Sequence, residues 1–188
     1  LMQDANGQSN TVLAYTTMLQ AALESKEAAD KRTIYATVIS QFDGAFEVIN
    51  TIPGMGEDFT NLRFNLGYER NLQLGMNNYE QAFRAASHLE SLGVDDAFTP
   101  IYEAAVSTDD NEQKIAIYSE GVAYHKPPTE IPHEAARADL FQLVCDLNYD
   151  RNMAAGFGSM EEALGIATAI QTMYPNPDNE AFIQANQA

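Results

Sequence analysis

The side chains that could carry out acid–base, nucleophilic or metal chemistry are few and far apart in this 188-residue chain. Its three histidines, His88, His125 and His133, form neither an HExxH nor an H-x-H pattern, so we expect solvated residues at helix ends rather than zinc ligands. Cys145 is the single cysteine, and its place in the apolar run 140–145 predicts a small buried hydrophobe rather than a nucleophile. We therefore expect no catalytic residue, no bound metal and no cofactor.

Two kinds of loop resemble ion-binding loops, and both have a simpler interpretation. The Gly-Phe-Gly-Ser stretch at 156–159 leads into a predicted helix as a phosphate-binding loop would, but Glu161 and Glu162 would repel an anion. The serine of this loop and Glu162 fit a capping box at the helix start instead. The acidic runs at 95–96 and 109–112 lack the alternating ligands and the glycine of an EF-hand, so we expect helix caps and solvated turns.

The overall charge restricts the class of partner. The chain has 10 Lys and Arg against 27 Asp and Glu, a net charge of −17, and its basic residues are scattered. Because this charge repels phosphate groups and anionic lipids, we expect no nucleic-acid partner, and no apolar run is long enough for membrane insertion of this segment. The acidity and the four lysines favour an exported, periplasmic bacterial protein over a cytoplasmic one. The start at Leu1 is compatible with a signal sequence or lipid anchor upstream.

Apolar residues recur three or four positions apart almost throughout, and alternation over the length of a strand is absent from the sequence. This spacing predicts an all-α fold, and the turn residues divide it into about four antiparallel helical hairpins in a single domain. After a polar tail at 1–8, the hairpins are expected at 9–52, 58–93, 95–125 and 132–175, with a short C-terminal helix at 178–185.

Cap and breaker residues set the expected helix boundaries. We expect the first helix to begin after Ser9 or Asn10, Asp58 to cap the third helix, and Pro132 to lie in the first turn of the seventh. The second helix is expected to continue without interruption to Ile52.

Aromatic and small residues on the apolar stripes identify the expected core. Ala163 is expected to lie at a close crossing of two helices, where a charged side chain could not be accommodated. Six aromatic residues are expected to pack in the core: Phe42, Phe46, Phe83, Phe98, Tyr118 and Phe141.

Three stretches, 74–83, 110–116 and 158–164, share a turn, an acidic or amide pair and a small or apolar residue that opens a second helix. The pattern is strongest in 158–163 with Ala167 and Pro175, and in 65–67 followed by 79–82. At these residues the chain resembles tetratricopeptide (TPR) repeats, whose second helix follows a G-x-Y-x-x-A pattern and whose unit ends near a proline. The resemblance covers about residues 60–175 and implies a TPR-like α-solenoid. An irregular helical bundle is the alternative that the residue pattern leaves open.

The resemblance also implies where a partner would bind, because the first helices of TPR hairpins line a groove for extended peptides. It places Asn65 and Tyr68 in such a groove. Four more residues are expected there because they lie on the first helices of the predicted hairpins: Asn71, Tyr102, Asn148 and Arg151. We expect a non-enzymatic module that binds a neutral or basic protein or peptide segment. The alternatives are a binding protein for a small polar ligand such as a sugar and, least favoured, a hydrolase that depends on a metal or on paired carboxylates. The sequence does not set the oligomeric state.

Overall fold

The computed structural model describes the backbone of residues 5–125 and 127–186 and the side chains from Thr11 onward with the same gap. Within these ranges the chain forms ten α-helices, a 3-10 turn at Pro128–Glu130 and no β-strand, which confirms the all-α prediction. None of these helices combines the length and apolar character that crossing a bilayer requires. The helices are α1 (Ala5–Glu24), α2 (Ala28–Gln41), α3 (Ala45–Thr51), α4 (Met55–Gly75), α5 (Tyr79–Ser91), α6 (Thr99–Ser107), α7 (Asn111–Tyr124), α8 (Glu134–Gly156), α9 (Met160–Met173) and α10 (Pro177–Asn186).

The helices form two compact units. The first contains the chain up to Leu72 together with Arg84–Ala97, and the second contains Gln73–Phe83 and the chain from Phe98 onward. Helices α4 and α5 each contribute residues to both units. The prediction of a single folding domain stays a prediction, because compact units within one chain need not fold separately.

The first unit buries the apolar residues that recur at helical spacing. Helix α1 packs against α2, and α2 also contacts α3. The ring of Phe59 on α4 lies 5.0 Å from the ring of Tyr35 and 6.1 Å from that of Phe46, so aromatic contacts join α4 to α2 and α3. Other buried side chains of this unit are Leu19, Ala22, Val38, Ala45, Ile49, Met55, Leu62, Leu66, Ala85, Ala86, Leu89 and Leu92.

Helix α9 occupies a central place in the second unit, since it packs against α7, α8 and α10, while α6 packs against α7 and α8. Ala163 and Ala167 on α9 are fully buried, and their small side chains let the neighbouring helices approach closely. The predicted core position of Ala163 is therefore confirmed. Of the six aromatic residues predicted in the core, Phe83, Phe98 and Tyr118 are buried, Phe42 is half-buried, and Phe46 and Phe141 are exposed.

Two of the predicted boundaries in the first unit are wrong. Helix α1 begins at Ala5, so neither Ser9 nor Asn10 is its N-cap, and residues 1–4 of the predicted polar tail lie outside the described ranges. The predicted second helix is interrupted because the backbone of Phe42 is extended (φ −137°, ψ 108°), which ends α2 before α3 begins at Ala45.

Asp58 and Pro132, which were predicted to begin helices, have other roles in the structure. Asp58 lies inside the first turn of α4, and its carboxylate is used by α2 instead of capping the helix. Pro132 precedes α8, whose N-cap is His133, and the imidazole Nδ1 of His133 accepts a hydrogen bond from the amide of Ala136 at 3.2 Å. The imidazole thus satisfies an amide that the helix itself leaves free.

The predicted capping box at Ser159 is also wrong, since the serine is the N-cap residue of α9 but its hydroxyl makes no capping bond. Its backbone (ψ 64°) is not extended, whereas Asp110 at the start of α7 is extended (ψ 107°). Asp110 Oδ1 accepts hydrogen bonds from the amides of Glu112 at 2.9 Å and Gln113 at 3.3 Å. An extended N-cap backbone is what allows a side chain to turn back onto these amides.

Candidate functional site

The exposed side of α4 carries three of the six residues predicted to bind a partner. Asn65, Tyr68 and Asn71 are all exposed, and Tyr68 keeps 64% of its surface accessible. The residues one turn before and after Tyr68 are exposed as well, Phe64 by 72% and Leu72 by 47%. Because residues four apart lie above one another on a helix, positions 64, 68 and 72 form one apolar strip, which we call the α4 row.

The α4 row is exposed because the opposite side of the helix is the one that packs. Phe59, Leu62 and Leu66 are buried at the spacing of a core stripe, and the row lies outside that stripe. Single exposed apolar residues are ordinary on protein surfaces, but large apolar side chains on successive turns are typical of a contact surface.

The amide of Asn71 is engaged by the neighbouring residue on α4. Its Oδ1 accepts a hydrogen bond from Arg70 Nε at 3.0 Å, and Arg70 Nη1 donates to the carbonyl of Ala97 at 2.7 Å. Burial lowers the pKa of the Arg70 guanidinium, and the charge of Asp96 opposes this shift. Asn71 therefore helps to hold the arginine that fastens α4 to the segment after α5.

Asn148 and Arg151 on α8 make their contacts inside the second unit. Asn148 Nδ2 donates to the carbonyl of Val144 at 2.8 Å. Arg151 Nη1 donates to Oδ1 of the buried Asn179 at 2.7 Å, and the guanidinium carbon lies 4.8 Å from the centre of the Phe182 ring. The contacts of Arg151 tie α8 to α10, whereas the bond of Asn148 lies within α8.

Tyr102 lies in the core instead of on a binding surface. None of its surface is exposed, and its ring packs 5.6 Å from that of Phe83 and 5.9 Å from that of His125. Its hydroxyl is buried without a hydrogen-bond partner. Burial of this kind raises the pKa of the phenol and leaves no atom for a partner to reach, so Tyr102 is not part of the binding surface proposed below.

Two residues of α8 predicted to be buried are exposed. Phe141 keeps 60% of its surface accessible, and Cys145 one turn later is exposed too. The physical reason is that α8 buries Leu140 and Leu147 on its core side, and Phe141 is rotated away from that stripe by one position.

Tyr149 is an exposed residue that the sequence reasoning missed. It keeps 66% of its surface accessible and continues the strip of exposed side chains at 141 and 145 toward Met153, which we call the α8 row. The signal for it was present: the segment 147–152 reads Leu-Asn-Tyr-Asp-Arg-Asn, and 66–71 reads Leu-Gly-Tyr-Glu-Arg-Asn. Comparison of these segments would have added Tyr149 beside Tyr68.

A lysine, a tyrosine and an aspartate form a cluster in the first unit. The carboxylate of Asp58 pairs with the ammonium of Lys31 and accepts a hydrogen bond from the Tyr35 hydroxyl at 3.0 Å. Lys31 and Tyr35 lie one turn apart on α2, so the cluster joins α2 to α4. Burial and the hydrogen bond to Asp58 raise the pKa of Tyr35, which keeps the phenol protonated as the donor.

The second unit contains the same cluster. Asp139 of α8 pairs with Lys114 and accepts a hydrogen bond from the Tyr118 hydroxyl at 2.7 Å, with Lys114 and Tyr118 one turn apart on α7. Burial, followed by the bond to Asp139, raises the pKa of Tyr118. In both units each polar group of the cluster has a partner, so the cluster fastens helices rather than offering groups for catalysis.

The turns that follow α4 and α8 match as well. Asn77 and Gly158 both have positive φ, 57° and 83°. The amide of the next residue, Asn78 or Ser159, donates to the carbonyl five residues earlier at 2.9 Å in both turns. This is the Schellman type of helix ending, which needs a left-handed residue at this position.

The three histidines all contact protein groups, contrary to the expectation of solvated side chains. His88 accepts a hydrogen bond from the guanidinium of Arg32 at 3.1 Å, His133 caps α8, and His125 packs with its ring 4.6 Å from that of Phe98. Across the described ranges, no three His, Cys, Asp or Glu side chains gather as a metal site would require.

A shallow depression lies at the start of α9, lined by Gly158, Ser159, Met160, Glu161 and Glu162. It is open to solvent and carries two carboxylates, so it neither encloses a small polar ligand nor attracts an anion.

The α4 row and the α8 row thus each carry exposed side chains on successive turns of one helix. Comparison with protein-family models, curated proteins and solved structures finds no match for this chain.

Proposed function

We propose that this chain is a non-enzymatic interaction module that binds a protein or peptide segment on the exposed side of α4. The observation that carries the proposal is the α4 row, in which Phe64, Tyr68 and Leu72 are exposed on successive turns. Large aromatic and apolar side chains contribute much of the binding energy in protein interfaces. The TPR resemblance supports the same helix, because it puts Asn65 and Tyr68 on the partner-binding side.

The charge of the chain supports a neutral or basic partner. The net charge is −17, and Glu69 is exposed immediately after Tyr68. A partner with positive charge would be steered toward this surface, whereas an acidic one would be repelled.

The proposal is tested by selecting short random peptides, displayed on phage, that bind the purified chain. Selected peptides are synthesised, and their affinities are measured by calorimetry for the wild type and for the double variant Phe64→Ser, Tyr68→Ser. We expect the affinity to fall at least tenfold in the variant, since two apolar contacts are removed.

A matched control is Leu13→Ser, which removes an exposed apolar side chain from α1 in the same unit. This variant should retain the full affinity. The proposal fails if no peptide is selected, or if the selected peptides bind the α4 variant as tightly as the wild type.

A further inference from the structure

The contacts around Arg70 and Arg151 recur at a fixed spacing. The segments 66–71 and 147–152 lie 81 positions apart and share leucine, tyrosine, an acidic residue, arginine and asparagine in the same order. In both, arginine Nε donates to the following asparagine, at 3.0 and 3.3 Å, and Nη1 donates to an oxygen beyond the next helix, at 2.7 Å. Sequence and hydrogen bonding therefore match together.

The core follows the same spacing. Leu62, Leu66, Ala82, Ala86 and Leu89 correspond to Leu143, Leu147, Ala163, Ala167 and Ile170, and all ten are buried. The lysine–tyrosine–aspartate clusters correspond too, with a spacing of 81 for the aspartates and 83 for the other two residues. The core positions, the aspartates and the turn residues thus agree on a spacing of 81, and the lysines and tyrosines on α2 and α7 are displaced from it by two positions.

We infer that the chain contains two copies of one helical module, and that the surfaces around Tyr68 and Tyr149 are equivalent sites for the same partner, a protein segment with apolar and basic side chains. This inference rests on the proposed interaction function and adds to it a second site, on the α8 row, and the chemistry of the partner.

Packing within the chain does not explain the presence of a tyrosine at positions 68 and 149. The leucine of each matching segment is buried, and the arginine and asparagine bond to each other. Tyr68 and Tyr149 are instead exposed to the same extent, and no hydrogen bond or ring contact within the described ranges involves either ring. An exposed aromatic residue placed identically in both copies points to contact with a molecule outside the chain.

The surroundings of the tyrosines favour a basic segment. An exposed carboxylate follows each ring, Glu69 in the first copy and Asp150 in the second, and Asp146 lies one turn before Tyr149. A lysine or arginine can lie over a tyrosine face while it pairs with such a carboxylate. The apolar side chains at 64 and 72, and at 141 and 153, would contact the apolar residues of the same segment.

The test is the binding stoichiometry of peptides selected from the displayed random library on the wild-type chain. Each peptide is titrated by calorimetry into the wild type, Tyr68→Ser, Tyr149→Ser and the double variant. We expect two peptides per wild-type chain, one for each single variant and none for the double variant. Leu13→Ser is the control and should retain both sites. Both tyrosines are exposed, so unchanged melting temperatures will show that the variants remain folded.

Different failures have different meanings. One peptide per wild-type chain, lost in Tyr68→Ser but not in Tyr149→Ser, overturns the second site and leaves the proposed function in place. Selected peptides enriched in Asp and Glu overturn the basic partner. Failure to select any peptide overturns both proposals. A dimer in sedimentation that dissociates only in the double variant shows that a second copy of the chain covers these surfaces, which also overturns the inference.

Discussion

Gly121 on α7 is a residue whose lack of a side chain the core requires. A Cβ at this position would lie 2.8 Å from the hydroxyl oxygen of Tyr102 and 3.3 Å from Cζ of Phe83. The first distance is shorter than van der Waals contact allows, and both neighbours are fully buried. The close packing of α6 on α7 therefore depends on this glycine.

We predict that Gly121→Ala lowers the free energy of unfolding by about 1–3 kcal/mol through overpacking. Tyr102→Phe should raise it by about 1 kcal/mol, because a buried hydroxyl without a partner is removed. When Tyr102 is already Phe, Gly121→Ala should lower the free energy of unfolding by less, because the oxygen that would contact the new methyl group is absent. Urea unfolding of the two single variants and the double variant measures this coupling.

Gly165→Ala is the matched control, because it is a glycine of α9 with open space around the added methyl group. It should stabilise the protein by about 0.5–1 kcal/mol through helix propensity alone. Equal costs of Gly121→Ala in the presence and absence of the Tyr102 hydroxyl would contradict the proposed steric cause.

Burial of His125 predicts a loss of stability in mild acid. Burial lowers the pKa of this imidazole below its ordinary value of 6.5, against the opposing charge of Glu130. The unfolded chain then binds a proton at a pH where the folded chain does not, so stability falls as the pH decreases through 6.5 toward the folded pKa. The pKa of His88 is lowered as well, by burial and by Arg32 and Arg84.

Urea unfolding at several pH values between about 7.5 and 5.5 tests this prediction. His125→Gln should lose less stability on acidification than the wild type, and His125→Gln with His88→Gln should lose still less. An acid loss that is the same in the wild type and both variants would show that other groups cause it.

At the scale of single helices, the two N-caps predicted from similar turns differ in what they contribute. Asp110 accepts two amide hydrogen bonds at the start of α7, whereas the Ser159 hydroxyl makes no capping bond to α9. We predict that Asp110→Ala destabilises the protein by about 1 kcal/mol, while Ser159→Ala changes its stability by less than about 0.5 kcal/mol. Thermal or urea unfolding of the two variants measures these changes. An equal loss of stability in both would mean that Ser159 does cap α9, as the sequence predicts.

Because both units contain a lysine–tyrosine–aspartate cluster, we predict that removing the aspartate charge lowers stability by a similar amount in each. Asp139→Asn keeps the shape of the side chain but leaves the part-buried ammonium of Lys114 without its counter-charge, which should lower the free energy of unfolding by about 2 kcal/mol. Asp58→Asn should cost a similar amount through Lys31. Urea unfolding measures both, and Asp150→Asn, the same change at an exposed position of α8, should be neutral.

The helices could be predicted from the sequence because the apolar residues that become buried recur every three to four positions. The break between α2 and α3 could not, since Phe42 fits the apolar stripe whether or not its backbone is helical. Ser159 was misleading for a related reason: the residue type permits a cap, but only the backbone angles decide whether the hydroxyl reaches an amide.

Candidate site residues were harder to predict, because exposure and bonding depend on distant parts of the chain. The TPR resemblance placed Tyr68 in the groove, and position on a first helix added Tyr102, yet Tyr68 is exposed and Tyr102 lies in the core. The partner of Arg151 is Asn179, 28 residues later, and no local pattern reports such a pair. Comparison of the chain with itself would have been more informative than comparison with a short repeat pattern, because the matching segments at 66–71 and 147–152 are visible in the sequence alone.

At the scale of the whole molecule, the net charge of −17 is the dominant electrostatic property. Repulsion among exposed carboxylates opposes the compact state and is screened by salt, whereas the part-buried pairs Lys31–Asp58 and Lys114–Asp139 are screened much less. Because the repulsive contacts are exposed and far more numerous, we predict that sodium chloride at about 0.5 M raises the melting temperature.

Each kcal/mol of relieved repulsion should raise the melting temperature by about 2–4 °C for a chain of this size. Potassium chloride at the same ionic strength should act equally, since screening depends on the concentration of charge and not on the identity of the cation. A melting temperature that falls in salt would mean that the two pairs outweigh the repulsion, in which case Asp139→Asn should abolish part of that fall. An increase with only one of the two cations would point to specific ion binding rather than screening.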